Sequence, residues 1–401
     1  MKPGWIAAAG LGLLIIGASL ESGAPPPASS EPHTPEQVAP VKPDPNAVGP
    51  VAVENCRLGD ASFDPGVHLG YDRPDYFVSS TGEPKVTVIF VDFDDAEADI
   101  TPEEAFESLE PGLSEYYAAV SYGKLHLQVE PTLEWIRMPR DASEYDWDDD
   151  TSYESYITTS LRVADHLTDY ENTEMVIIVA PPSATQFERD ADLSTGRDLP
   201  WKVDEGYIEN AATLTPALYS RVPYVAIHET GHGLGLPDLY WIAQPEEWPP
   251  TGDFGLMGLY GRAPENFAFE RWVLDWIEDE QVTCFDAMDD PAAGQVTLTA
   301  VEIPGGKKAA IVRTGPYSLV VAESRRALGY DGGLIDEGVI VYTVDLSIES
   351  GMGPIIVHPL DEPARTNAPL GVGESLTVNG VTVTVIDSDG VTDTVGITAS
   401  P

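Results

Sequence analysis

Residues 222–240 read Val-Pro-Tyr-Val-Ala-Ile-His-Glu-Thr-Gly-His-Gly-Leu-Gly-Leu-Pro-Asp-Leu-Tyr, and this stretch restricts what the surrounding chain can become. On a helix, residues four apart share a face, so His228 and His232 aim two imidazoles at one point. That is the spacing with which a helix offers zinc two nitrogens. Glu229 stands beside the first histidine, within reach of a water on the metal without binding the metal itself. Gly233 and Gly235 accept left-handed backbone and can end the helix, and Pro237 discourages its continuation. Asp238 follows His228 by ten residues, where a chain that has turned back can offer a carboxylate as third ligand and leave a fourth position to water. A bare His-Glu-x-x-His recurs by chance. Here a buried helix face (Val225, Ala226, Ile227), a glycine break and an acid at ligand spacing accompany it. The expected site is one catalytic Zn2+ held by His228, His232 and Asp238, with Glu229 as general base.

This run resembles the immune inhibitor A-like (M6) family of secreted zinc metallopeptidases. Other segments resemble the same family: Ser121-Tyr122-Gly123-Lys124-Leu125, the helix expected at 264–276, Val320–Arg326 and Gly338–Tyr342. Together they cover most of the chain from about residue 85 to the C-terminus. The resemblance implies a zincin-like catalytic domain. Met257 is similar to the methionine of the turn beneath the zinc in metzincin-like peptidases, where it supports the ligands by packing. The helix at 264–276 leaves an alternative open: Glu265 or Glu270 brings the third ligand, and Asp238 then orients a histidine. Tyr240 and Tyr260 lie near this region in sequence, and either could donate a hydrogen bond to the developing oxyanion.

The rest of the chain fits one catalytic layer followed by a β-rich one. Residues 1–20 carry Lys2 and then a short apolar run, the pattern of a signal peptide or an N-terminal anchor formed by residues 5–20. Residues 21–50 are rich in Pro, Ser, Ala and Glu, as expected of a linker or part of a pro-segment that residues 21–85 would complete. Val86–Phe93 reads as a buried strand. Thr101-Pro102-Glu103-Glu104 opens a helix whose apolar stripe runs through Leu109, Leu113, Tyr116, Tyr117 and Val120. A strand near 125–136, a helix over 153–168 and a strand at Met175–Ala180 follow, while 181–220 is loop-rich. The acidic stretch 139–151 lacks EF-hand spacing, so Ca2+ has no motif behind it and a solvated loop is expected. From about 290, short β runs alternate with glycine-rich turns. The expected fold class is therefore α/β (α+β), a zincin-like catalytic domain at 51–285 with its core from about 85, followed by an all-β sandwich-like C-terminal domain at 286–401. Cys56 and Cys284 are the only cysteines. In an exported protein they are expected to pair; the alternative is Cys56 capping the zinc as a thiolate. Glu323, Arg325 and Arg326 are expected to form structural ion pairs or face solvent.

The formal charge of −46 argues against nucleic acid and anionic membranes as partners. It favours a protein soluble in salt, where self-repulsion is screened, as in a halophilic or marine source; a generic acidic secreted protein is the alternative. The functional expectation is a secreted zinc endopeptidase acting on polypeptide, without membrane contact beyond an N-terminal anchor. Two alternatives remain open: a surface-associated binding protein on an inactive peptidase-like scaffold, and a zinc amidase acting on a non-protein amide.

Overall fold

The β-branched run at the start of the globular part forms β1 (Lys85–Asp92), and the first, mixed α/β layer is built around it. The structure is a computed structural model. It describes residues 46–401 apart from 63, 65, 147–148, 188–190, 196–199, 217–218, 220–222, 245–246, 260–261 and 361–367, and apart from the side chains of 191–195. The signal-like run 1–20, the linker up to residue 45, Asp148 and Tyr260 therefore lie outside the described residues. Among the described residues no helix is long and apolar enough to cross a membrane.

After β1 the chain forms α1 (Pro102–Glu107) and α2 (Gly112–Val120). The sequence predicts one helix here. The break falls at Pro111, which has no amide to donate and restrains the residue before it. Thr101 caps α1 as expected, accepting from Glu104 N at 3.1 Å while Glu104 reaches back to Thr101 N. Then come β2 (Gln128–Arg137), α3 (Asp150–Ala164) and β3 (Thr173–Val179). The stretch expected to be loop holds β4 (Ala191–Thr195), a ribbon of β5 (Trp201–Lys202) and β6 (Tyr207–Ile208), and β7 (Asn210–Leu214). One sheet runs β2-β1-β3-β7-β4, parallel except for β4, which is antiparallel to β7 at the edge. α3 covers one face through Tyr153, Tyr156, Ile157 and Leu161. On the other face α2 and the histidine-bearing helix α4 (Tyr224–Gly233) pack against Val86, Val88, Phe90 and Ile177. Burial on both faces explains why β1 and β3 read as unbroken apolar runs.

The amphipathic helix expected over 264–276 is helical only as α5 (Ala268–Val273). The chain then enters a β-rich region: β8 (Val282–Asp286), β9 (Ala292–Thr299), β10 (Ala309–Arg313), β11 (Ser318–Arg325), β12 (Gly338–Asp345), β13 (Ile355–Val357), β14 (Ser375–Val378), β15 (Val381–Ser388) and β16 (Thr392–Ala399). Sheets β13-β12-β11-β10-β8 and β14-β15-β16-β9 stack around Val312, Val320, Val341, Val383 and Val395. The first of them is buried on its other face too, where Ile311, Val321, Ile340 and Tyr342 join the core of the mixed α/β layer. The molecule is thus a mixed α+β layer followed by a β-rich one with a shared core. All described residues fall in one compact unit. The boundary expected at 285/286 lies within β8.

Between the layers lies a buried set of charges. Arg325 is ion-paired to Glu323 and Asp331, each at 2.7 Å, and donates to the carbonyls of Glu265 and Asn266. Arg271 pairs with Glu265, and Arg326 with Asp393 at 2.9 Å. Burial raises the Glu270 carboxyl to about 7 and the Glu302 carboxyl to about 8, which brings both titrations into the neutral range.

Residues 46–80 are stitched into both layers. Val48 N donates to Pro291 O at 2.8 Å, although the sequence places this position in a linker. Cys56 is disulfide-bonded to Cys284, as expected from an exported pair, and so has no thiolate to offer a metal. The bridge joins residues 228 positions apart, a loop for which the chain-entropy model gives about 5 kcal/mol of stabilisation. Replacing both cysteines with serine should lower stability by about 2–5 kcal/mol in denaturant melts; an unchanged midpoint would mean that the arm is held without the bridge.

Candidate metal centre

The centre is assembled by α4, the turn after it, and two loops that close on that turn. Val225, Ala226 and Ile227 are buried, and Tyr117 Oη donates to Ile227 O at 2.6 Å, locking α2 to α4. At Gly231 the helix meets Met257: a Cβ there would stand 2.6 Å from the methionine sulfur. Met257 therefore packs directly beneath the helix between the two histidines. The helix ends as its glycines predict. Gly235 has φ +92, its N–H donates to His232 O at 2.7 Å, and Leu236 N donates to Gly231 O at 3.0 Å, the paired bonds of a Schellman end. The N-terminal arm occupies the remaining carbonyls. Val78 N donates to Gly233 O at 2.9 Å, Arg73 Nε to Leu234 O at 2.9 Å, and His68 N to Gly235 O at 2.7 Å.

The turn brings Asp238 back to both histidines. Its Oδ1 lies 3.0 Å from His228 Nε2 and 3.2 Å from His232 Nε2, and the two rings stand 4.9 Å apart at 89°. Among the described residues these are the only His, Cys, Asp or Glu side chains whose donor atoms gather within 4.8 Å of one another as a group of three. Ligand atoms about 2.0–2.1 Å from a tetrahedral zinc stand roughly 3.3 Å apart, so the two nitrogen–oxygen separations suit that ion. His232 Nδ1 faces the Leu236 carbonyl at 2.7 Å. A carbonyl can only accept, which puts the proton on Nδ1 and frees the Nε2 lone pair. The Leu256 backbone is a hydrogen-bond partner of His228. The donor types, their separations and their backbone partners thus fit a zinc ion.

Without a metal, the three groups share charge unequally. Burial lowers the His228 pKa, and the positive charge of His232 lowers it further, outweighing Asp238. Burial also pushes His232 down, but Asp238 and Glu229 outweigh it and lift His232 to about 10. Burial raises the Asp238 carboxyl, and the two histidines more than reverse this, holding it well below the usual carboxylate range. One imidazolium therefore faces one carboxylate.

Glu229 is 3% exposed, next to His228 on the helix and near enough to His232 for its charge to be felt there. The Tyr240 ring lies 6.1 Å from the His228 ring. The alternative third ligands are engaged elsewhere. Glu265 pairs with Arg271, and Glu270 caps α5 by accepting from Asn266 Nδ2 at 3.1 Å and Phe267 N at 3.0 Å. The acids of 139–151 also act as caps: Asp149 accepts from Ser152 N at 2.8 Å, and Asp141 and Glu144 close a capping box. The supports of the turn that carries Asp238 come from segments with no signal in the sequence. Leu239 N donates to Met257 O at 2.9 Å, and Ser350 and Gly351 hold Asp238 from the β-rich layer. A Ser-Gly-Met-Gly-Pro run signals only a turn.

No protein-family model matches the chain, and no curated protein matches it. Among solved structures, metalloproteinase-II from Bacteroides fragilis is similar at 16% identity over 57% of this chain and 60% of that one, with a TM-score of 0.29. The match spans less than two thirds of that protein's length, and an overlap of this size bears on neither the fold nor the activity of this chain.

The charge pattern can be tested on metal-free protein. Nitrogen-15 NMR should show His232 protonated through neutral pH and titrating near 10, with His228 neutral at pH 7. A folded pKa of about 10 above the ordinary 6.5 means stabilisation that is complete below pH 6.5 and lost as pH rises through 10. Asp238→Asn should return His232 to titration near or below 6.5; a His232 that titrates near 6.5 in the parent would contradict the pairing.

Proposed function

We propose that this chain is an exported, zinc-dependent endopeptidase. The observation that carries the reading is the convergence of His228 Nε2, His232 Nε2 and Asp238 Oδ1 beside Glu229. Bound zinc would supply Lewis-acid polarisation of a carbonyl and lower the pKa of a water. Glu229 takes the proton of the attacking water and passes it to the leaving nitrogen, so that one C–N bond is exchanged for one C–O bond. Tyr240 is assigned to donate to the carbonyl oxygen as it gains charge. His232 keeps its ligand orientation through Leu236, and Asp238 keeps its own through the turn that carries it.

Polypeptide is favoured over a small amide by the sheet edge. β4 is the terminal, antiparallel strand of its sheet and packs beside α4. An edge strand next to the metal helix offers backbone donors and acceptors to an extended peptide laid along it. The binding-scaffold alternative leaves Glu229 without a purpose, since a scaffold needs no buried carboxylate beside two convergent histidines.

The test is cleavage of an unfolded protein in high-salt buffer with zinc present. Glu229→Gln should lower kcat about 10²–10⁴-fold while leaving zinc content unchanged, and a chelator should abolish turnover reversibly. Full activity in the Glu229→Gln protein would refute the mechanism. Stoichiometric zinc with no cleavage of any polypeptide by the parent would favour the scaffold or amidase reading.

A further inference from the structure

We propose that the loop between β12 and β13 positions the metal ligand Asp238, with Ser350 and Gly351 as the positioning residues; this rests on the ligand set proposed above. The two residues hold the backbone of Asp238 from both sides. Ser350 Oγ accepts from Asp238 N at 2.9 Å, and Gly351 N donates to Asp238 O at 2.9 Å. Ile242 N then donates to Gly351 O at 3.1 Å, so the loop bonds the turn at Asp238 and again at Ile242.

The contact requires the residues it has. Gly351 has φ +69, and a Cβ on it would stand 2.2 Å from Ile242 side-chain carbons. A Cβ on Gly353 would stand 2.8 Å from the Trp241 ring. The loop is also fixed at its base. Leu346 N donates to Tyr317 O at 2.9 Å, Ala61 N to Leu346 O at 2.8 Å, and Ser347 Oγ to Asp345 Oδ1 at 2.6 Å, while Leu346, Ile355 and Val357 are buried.

The physical need is plain from the ligand turn itself. Asp238 follows Pro237, which has no amide, and lies beyond a glycine turn, so α4 gives it little direct support. Its carboxylate is two rotatable bonds from the backbone. Once Ser350 and Gly351 fix the peptide groups on either side, and Met257 O fixes Leu239 N, only those two bonds remain to be set by the histidines. A ligand held this way is preorganised, and residues behind metal ligands typically govern metal affinity by about 10–100-fold. The β-rich layer is then part of the metal centre although none of its residues is proposed to touch the metal.

The experiment uses the full chain, stripped of metal and titrated with zinc against a chromogenic chelator. It compares the parent with Ser350→Ala, Ser350→Thr, Gly351→Ala and Asp238→Ala, and records the metal-free melting midpoint of each. Ser350→Ala and Gly351→Ala should raise the zinc Kd about 10–100-fold, Ser350→Thr should restore it to near the parent value, and the metal-free midpoint of Ser350→Ala should stay close to the parent's. A parent that binds zinc, with Ser350→Ala and Gly351→Ala within twofold of it, overturns the positioning role alone. A parent that binds no zinc, or an Asp238→Ala protein that binds it as tightly as the parent, overturns the ligand set and this role together. Should Ser350→Ala fail to fold, the Ser350→Thr and Gly351→Ala titrations decide the matter.

Discussion

Arg325 is the point at which the two layers are joined. Its guanidinium has no exposure, and all three of its nitrogens donate: to carboxylates of Glu323 and Asp331 on its own side, and to carbonyls of Glu265 and Asn266 on the other. The four partners come from both layers and are satisfied together in this docking. Removing one member of such a buried set costs about 3–5 kcal/mol, because the rest are left charged and dry. Among the described residues Arg271, Arg325, Arg326 and Lys308 are buried, and Glu265, Glu323, Asp331 and Asp393 are buried with them.

The fixed docking matters to chemistry because the proposed ligand turn is gripped from three directions. The arm at 68–78 caps the end of α4, the turn at 256–257 supports His228 and Leu239, and the β12–β13 loop holds Asp238. None of the three lies on α4. A pro-segment extending to residue 85 would include the arm that caps the proposed ligand helix and the cysteine that bridges to β8. Residues 46–80 therefore belong to the folded unit.

What was legible in the sequence followed from short-range rules. The i, i+4 histidines, the glycine helix end and the acid on the returning chain are local, and the structure brings those side chains to one point. The strands at 309–313 and 375–378 fall where their apolar runs predict. Misses have equally physical causes. β7, Asn-Ala-Ala-Thr-Leu, is buried at every position yet too poor in large or branched side chains to read as a strand. β16 alternates between half-buried and buried positions, the period-2 pattern of a strand with one face in the core. The helix expected from 101 to 120 breaks at a proline that the apolar stripe disguised. Glu265 and Glu270 could not be separated from metal ligands by sequence, because their nearby partners are themselves set in place by distant segments: Arg271 donates to Val301 O, and Glu323 accepts from Ala268 N.

The account's central claim is that two imidazoles and one carboxylate share a single ion. Zinc K-edge absorption on the zinc-loaded protein measures this most directly. The account predicts one zinc per chain in a four-coordinate nitrogen and oxygen environment, with two imidazole scattering patterns in the parent and one in His232→Ala. A zinc surrounded by a single imidazole or by none, or a spectrum unchanged by loss of His232, would contradict it.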